Sequence, residues 1–371
     1  MPSTESSDEI QFRPLAPEER DDFCNVGRRA FPLAIGAMIS PRDINLVATI
    51  GDDLVGGFAA EVVEFTDGST MAVVRWLFVS PDVQEQGLGS RLAKAGFSHL
   101  KNSDIDHFVA DIHGDNTSSF RIAESMGARR LRPWDQLRLL GPAKTATAWW
   151  KLSHFLDFGY FVYVGNSDGE LRDTGHRNAA EISLTLSSIA VLAAIAGWRA
   201  DHHIGLVATA ALGFVALRHI ATSMASRLQG YSTTHRAWDS GLPFSLGIAL
   251  AASVLFPMPG GTYPTDDNWR SRDYTTQRGI SALVAVGVLL AVTATSQCIL
   301  HFDLASRWHP AVQATTFVGT SFLLFDAILA TPPFSCFHAS HIRAWSTTVW
   351  IVTALSALLV IFAPTWTSAL L

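Results

Sequence analysis

The sequence predicts two bodies: an α/β head with a mixed sheet and flanking helices, then an all-α polytopic membrane body of about six helices. Three observations predict this. The chain has 371 residues, 48% apolar and only 16% charged, which excludes a disordered or fibrous protein. Charge is unevenly placed: residues 1–143 hold 21 acidic and 14 basic side chains, whereas the longer remainder holds 12 and 13. Six long apolar segments fill that remainder: Ala180–Trp198, Ile204–Leu228, Gly241–Met258, Gly279–Leu300, Ala311–Ala330 and Trp345–Ala363. Each is close to the ~20 residues that a helix needs to cross about 30 Å of hydrocarbon. In series they leave little polar face to meet water.

Within the head, residues 1–9 read as a flexible tail and residues 10–143 as one domain. Ile10–Pro14 reads as a strand, and Ala16–Ala30 as a helix entered through Pro17-Glu18-Glu19. Leu46–Ile50 and Leu54–Phe65 are strands joined at Gly51-Asp52-Asp53, and Met71–Val79 follows the turn Asp67-Gly68-Ser69. Gly89–Leu100 has helical periodicity, Phe108–Ile112 is a strand, and Thr117–Met126 is a helix closed by Gly127, where a left-handed cap is wanted. Strands with interposed helices make an α/β pattern. Residues 144–177, with Trp149, Trp150, Phe155, Phe158, Tyr160, Phe161 and Tyr163 close together, read as an interfacial linker suited to the headgroup layer. Residues 178–371 form the multi-pass body.

Cys24, Cys298 and Cys336 lie far apart, so neither a disulfide framework nor a zinc ribbon is indicated. The first 20 residues are polar and acidic, so no secretory signal peptide is predicted and the head is expected in the cytoplasm, held at the cell membrane. With six crossings, the inner loops carry Lys144, Lys151, Arg172, Arg177, Arg236 and Arg307, and the outer loops Arg199, Arg270, Arg272, Arg278 and Arg343. That is only a weak vote for this orientation. The acidic head argues against nucleic acid as a partner.

The segment from Leu77 to Leu92 carries chemistry. A strand ends at Val79-Ser80-Pro81, a loop with Gly87 and Gly89 turns the chain, and a helix starts. Successive backbone N–H groups then converge at a helix N-terminus, an arrangement that binds anions, although the same residues also suit an ordinary strand–helix turn. The spacing Gln84-x-x-Gly87-x-Gly89 resembles the acyl-CoA-binding motif of the GNAT N-acetyltransferase superfamily. Asn116-x-x-Ser119-x-x-Ile122-x-x-x-Met126-Gly127-Ala128 resembles its second motif, a helix beside the CoA. The resemblance covers residues 10–140 and implies acetyl-CoA as cosubstrate and an amine as acceptor. It implies that Trp76–Val79 splays from its neighbour and that Phe78 and Val79 bond pantetheine through backbone groups. Gln84, Glu85, Gln86, Gly87, Leu88, Gly89 and Ser90 would hold the pyrophosphate, while Asn116 would contact CoA or cap its helix. The tyrosine that protonates the thiolate in many members is replaced here by Ala123, and residues 1–143 contain no tyrosine to supply one. Glu61 and Asp111 are the candidate bases for the amine, with Glu64 and His113 as alternatives.

In the body, Leu217-Arg218-His219-Ile220-Ala221-Thr222 puts polar groups inside an apolar run, and intramembrane ionisable residues are costly unless functional or paired. Gly230-Tyr231, Arg236-Ala237-Trp238, Pro259-Gly260-Gly261-Thr262-Tyr263 and the Pro332-Pro333 break resemble the membrane core of the site-2 protease family. Its zinc-binding histidines and base are here Arg218, Thr222 and His219, and its aspartate ligand is Ser335. The resemblance therefore implies an inactive protease-like scaffold with no metal, in which Asp326 could pair with Arg218 and which could bind a membrane-protein partner. His338-x-x-His341 with His219 forms a different conceivable metal set, against the plainer reading of loop histidines. The reading is thus a membrane-anchored N-acetyltransferase, with a non-enzymatic acyl-CoA sensor as the alternative.

Overall fold

The computed structural model describes residues 10–31, 33–83, 87–166, 171, 178–252, 254–257, 260–265 and 274–370. The chain forms two compact units. The first comprises Met1–Ile112, Ser119–Ser153 and Phe161–Thr174; the second comprises Gly175–Leu371 with His113–Ser118 and His154–Tyr160. The expected tail, residues 1–9, lies outside the described residues.

The elements of the first region run β1 (Ile10–Pro14), α1 (Arg20–Ala30), α2 (Leu33–Gly36), β2 (Ile44–Ile50), β3 (Asp53–Glu64), β4 (Thr70–Val79), α3 (Leu88–Lys101), β5 (His107–His113), α4 (Thr117–Ser125), β6 (Arg129–Arg130), α5 (Pro133–Leu152) and β7 (Tyr160–Asn166). They build a seven-stranded sheet in the order β1-β2-β3-β4-β5-β7-β6. Strands β1 to β4 are antiparallel, and β4 pairs β5 in parallel, so the sheet is mixed as the alternation of strands and helices predicts. On one face α1 packs Phe23 and Val26 against Val47, Ala59 and Phe78. On the other, Phe97 of α3 meets Phe58 and Phe108 at ring separations of 5.7 and 4.9 Å. Glycine at position 96 is required there, because an added Cβ would lie 2.6 Å from the Phe58 ring.

The linker expected over residues 144–177 is corrected by the sheet. Its first residues complete α5, and Phe161–Val164 are fully buried as β7, inserted between β5 and β6. Alternating aromatic and β-branched residues suit a strand covered on both faces, and this outweighs their headgroup-layer composition. Trp149 is half-buried, its indole N–H bonded to Gln136 Oε1 at 2.7 Å. Residues 167–170 and 172–177 lie outside the described residues.

The second region contains α6 (Asn178–Arg199), α7 (Ile204–Leu228), β8 (Thr233–Ala237), α8 (Gly241–Ala252), β9 (Gly260–Pro264), α9 (Thr275–His301), α10 (His309–Leu323), α11 (His338–Trp345) and α12 (Thr347–Leu370). Among the described residues four helical segments are long and apolar enough to cross a membrane: Ala179–Arg199, Ile204–Leu228, Thr275–His301 and Ser306–Ile328. About six were expected; the described parts of the other two, Gly241–Ala252 and Thr347–Phe362, are apolar but shorter, and α8, with 12 residues, spans only about 18 Å. The β8–β9 hairpin has no counterpart in the sequence reading.

Neighbouring long helices run antiparallel. Gly197 meets Val207 across the α6–α7 turn, Tyr231 beyond α7 bonds Ser281 in the second turn of α9, and Ser296 meets Thr316 across α9 and α10. The α6–α7 and α9–α10 turns therefore lie at the same end of the bundle. Gly96→Ala should lower the thermal unfolding midpoint of the full chain, reflecting about 1–3 kcal/mol of overpacking. Gly213→Ala, whose Cβ meets nothing within 4 Å among the described residues, should not lower it, since Ala favours the helix over Gly; equal midpoints for both variants would contradict the packing described.

Candidate functional site: a fork in the sheet beside an uncapped helix

The β4–β5 ladder is short. It pairs Met71–Val74 with His107–Ala110 and then stops, while β4 continues to Val79 on β3. The cause is local: Ala59 faces Trp76 but Ala60 faces Val74, so Arg75 is the extra residue of a bulge. A bulge bends its strand and increases the local twist, and β4 turns away from β5. Burial follows the fork, since Met71–Val73 are buried and Val74–Leu77 are half-exposed. Phe78 beyond it is 4% exposed, its ring 4.9 Å from that of Phe23. Its side chain belongs to the core, so only its backbone faces the fork region.

After β4, the Ser80 N–H donates to Val55 O at 2.7 Å and a short 3-10 turn covers Pro81–Val83. Gln84, Glu85 and Gln86 lie outside the described residues. Gly87 then caps α3 in the left-handed region, at φ 68°, and, having no side chain, it leaves the helix terminus without a cap of its own. Leu88 is buried and fixes the first turn. The Arg91 N–H is the first to bond within this turn, to Gly87 O at 3.2 Å, so the amides of Leu88, Gly89 and Ser90 belong to the helix start, which has no intrahelical acceptors. Among the described residues nothing lies within 4 Å of a Cβ built on Gly87. Backbone amides at a positive helix end fit a pyrophosphate.

Asn116 immediately precedes α4, its N–H bonded to His113 O at 2.8 Å, and its side chain is exposed. Ala123 is 2% exposed, with its carbonyl bonded to the N–H groups of Met126 and Ala128 at the Gly127 cap. One inference from the sequence needs correcting here. Tyr163 of β7, beyond residue 143, stacks on Phe120 of α4 at 5.2 Å, so a buried tyrosine does adjoin this helix. Spacing in sequence gave no signal of it.

The candidate bases differ in surroundings. Glu61 forms a close ion pair with Lys151 of α5, a partner 90 residues away that no local pattern indicates. Glu64 is exposed. Glu61 lies opposite Val73, which pairs with Val109, and Asp111 is two residues further along β5. Strand periodicity thus puts Glu61 and Asp111 on one face of the sheet, and Asp111 is the one just past the end of the ladder. His113 is half-buried, its ring edge-on to Tyr160 at 4.9 Å.

In the helical unit, Arg218 pairs with Asp326: Nε to Oδ2 at 2.7 Å and Nη2 to Oδ1 at 3.0 Å, while Nη1 donates to Gly260 O at 3.2 Å. Asp326 is fully buried in a π-helical turn, Leu324–Ile328. His338 bridges Asp326 Oδ1 and the Thr222 hydroxyl at 2.9 Å each. The other two histidines of the conceivable metal set go elsewhere, His219 to Thr262 and His341 to Arg278.

Residues 11–128 match the Acetyltransferase (GNAT) family. The head is a GNAT acetyltransferase domain. Mycothiol acetyltransferase of Nocardiopsis dassonvillei is 31% identical over 85 residues, 23% of this chain and 25% of that protein. The chain thus spans a quarter of the length of this curated relative. Among solved structures, the ribosomal-protein-S18-alanine N-acetyltransferase of Escherichia coli is 15% identical, with 46% of this chain and 99% of that one covered and a TM-score of 0.32. Arabidopsis thaliana NAA60 in complex with acetyl-CoA is 13% identical, with 43% and 99% covered and a TM-score of 0.32. The matched GNAT residues contain the fork, Gly87 and α4. The helical unit lies outside them, and none of these similarities supports a protease-like domain there.

Because Ala123 is buried, restoring the missing tyrosine there should not restore an acid. Ala123→Tyr should destabilise the chain by about 1–3 kcal/mol through overpacking, read as a lowered thermal midpoint; a wild-type midpoint would show that the α4 surface has room.

Proposed function

We propose that the protein is an acetyl-CoA-dependent N-acetyltransferase whose GNAT domain is anchored to a membrane by the helical unit. The observation that carries the reading is the fork beyond Val74 and Ala110, next to the uncapped α3 terminus at Gly87. The backbone of Phe78 and Val79 would bond the pantetheine arm, the amides of Gly87–Ser90 the pyrophosphate, and Asn116 the CoA beside α4. Bound acetyl-CoA supplies a thioester carbonyl for direct attack by an amine, so placement accounts for much of the acceleration. Asp111, at the fork, is the better-placed base to take the amine proton. Glu61, held by Lys151, orients that helix contact and is the second candidate.

Ala123 favours a second reading, an acyl-CoA sensor without turnover, because α4 carries no acid side chain at that position. Calorimetry with acetyl-CoA on the full chain, beside thiol release with a panel of amines, separates the two. Binding with release supports the enzyme, and binding alone supports the sensor. Gly87→Glu should abolish binding, since a carboxylate there would fill the open space, strain a positive φ and repel the pyrophosphate; undiminished affinity would overturn the site.

The helical unit is proposed as a membrane anchor whose interior holds the Arg218–Asp326 pair. A lone intramembrane charge is costly, and pairing lowers the cost of both partners. Helix lengths also sharpen the orientation. Because α8 is too short to cross, the α6–α7 and α9–α10 turns share one side, where Arg199 and Arg307 lie. Arg227, Arg236, Arg278 and Arg343 belong to the opposite end. The excess of basic residues puts that opposite end, from which α6 starts, in the cytoplasm, and the GNAT domain with it. Arg172, Arg177, Arg270 and Arg272 lie outside the described residues. With Cys24, Cys298 and Cys336 replaced by Ser, Leu304→Cys should react with an impermeant maleimide from outside intact cells. Labelling only in inverted vesicles would reverse the orientation.

A further inference from the structure

Within the helical unit, the β8–β9 hairpin closes a small cavity against α6 and α7, lined by Thr185, Arg218, His219, His235, Gly260 and Thr262. His235 of β8 is 5% exposed, and its Nε2 lies 2.7 Å from the Thr185 hydroxyl of α6. Its Nδ1 is buried and has no hydrogen-bond partner among the described residues. The His219 ring of α7 stands edge-on to it at 5.1 Å, with its own Nδ1 2.8 Å from the Thr262 hydroxyl of β9. Each imidazole is thus held by a threonine through one nitrogen and keeps the other. Burial, then the His219 ring and the Arg218 charge, lower the His235 pKa to about 3, so its ring is neutral. Arg218 is 8% exposed, and its bonds to Asp326 and Gly260 O use Nε, one N–H of Nη2 and one of Nη1. Nη1 keeps a second N–H beside the Gly260 wall of the cavity. Position 260 requires glycine here, because a Cβ would lie 2.7 Å from His235 Nε2 and 2.8 Å from the Thr185 hydroxyl.

We propose that this cavity binds a small monovalent anion of the halide kind, held by N–H groups of His235, His219 and Arg218. A neutral imidazole carries one proton. The Thr185 hydroxyl donating to Nε2 puts that proton on Nδ1 of His235, and the Thr262 hydroxyl donating to Nδ1 of His219 puts it on Nε2. Two N–H donors and the remaining one of Arg218 then lack acceptors in the protein, and a buried donor left unmade is costly. An anion accepts from all three, through charge-assisted bonds stronger than those between neutral groups. A metal ion fits less well, since among the described residues the lining holds a guanidinium and no carboxylate or thiolate to offset a cation. All the residues named belong to the helical unit, so the site gives that unit a role beyond anchoring and stands independently of the acetyl-CoA reading.

The test uses the full chain in a non-ionic detergent, with sodium chloride as the probe against sodium gluconate at equal ionic strength. Two quantities are read: the chloride NMR linewidth, which broadens on exchange with a protein site, and the thermal midpoint by tryptophan fluorescence. Chloride should broaden in the presence of the wild-type chain and raise its midpoint, because a ligand that binds only the folded state stabilises it. His235→Phe keeps a ring but removes a donor, and it should weaken chloride binding roughly tenfold. His219→Phe, at a half-buried position, should do the same and decides the matter if His235→Phe does not fold. A wild-type chain that leaves the chloride linewidth unchanged would overturn the proposal. So would undiminished broadening by either folded variant, since the ion would then sit elsewhere. A midpoint raised by zinc sulfate and not by chloride, with the rise lost in His235→Phe, would overturn the anion in favour of a metal ion between the two rings.

Discussion

The parting of β4 from β5 is the constraint on which the site depends. Two parallel strands held side by side along their whole length would seal the sheet. Here one extra residue in β4, Arg75, ends the ladder after four residue pairs. The remainder of β4 stays on β3, anchored by Phe78 in the α1 core. Its backbone groups are then available in a direction where no strand stands, and the chain leaves β4 straight into the turn that starts α3. The proposed site thus depends on one bulge and one left-handed glycine.

A different problem governs the helical unit. Its long helices have apolar surfaces, yet Arg218, Asp326, His338, Thr222 and the β9 carbonyl of Gly260 meet in its interior. Buried charges are stable there only as a set, because each one removed leaves another uncompensated. The π-helical turn that carries Asp326 is one of the places where a helix departs from regular geometry to aim a side chain.

Much of the head was legible along the chain. Strands β1 to β5 and helices α3 and α4 fall within about two residues of their sequence-based limits, because each has a clear period and a Gly, Pro or Asp turn beside it, whereas α1 starts four residues later than expected, after a 3-10 turn over Pro17–Glu19. The Gly87 and Gly127 conformations follow from the absence of a Cβ where φ must be positive, 68° and 86°. Less was legible beyond residue 130. Phe161–Val164 has the composition of a headgroup belt and the alternation of a strand, and only the presence of a vacant sheet edge at β5 decides between them. Hydropathy likewise marks Gly241–Met258 as apolar without fixing that its helix ends at Ala252.

The sequence by itself determined the order of the two bodies, the glycine turn at the head of α3, and the lack of an acid side chain at Ala123. These are local properties, set by composition, period and φ over a few neighbouring residues. The Arg218–Asp326 pair was expected from two charges in apolar runs, and it forms across 108 residues. Tertiary structure alone decided that Glu61 finds Lys151 across 90 residues. No spacing rule encodes such a partner, because it depends on which elements the fold brings side by side.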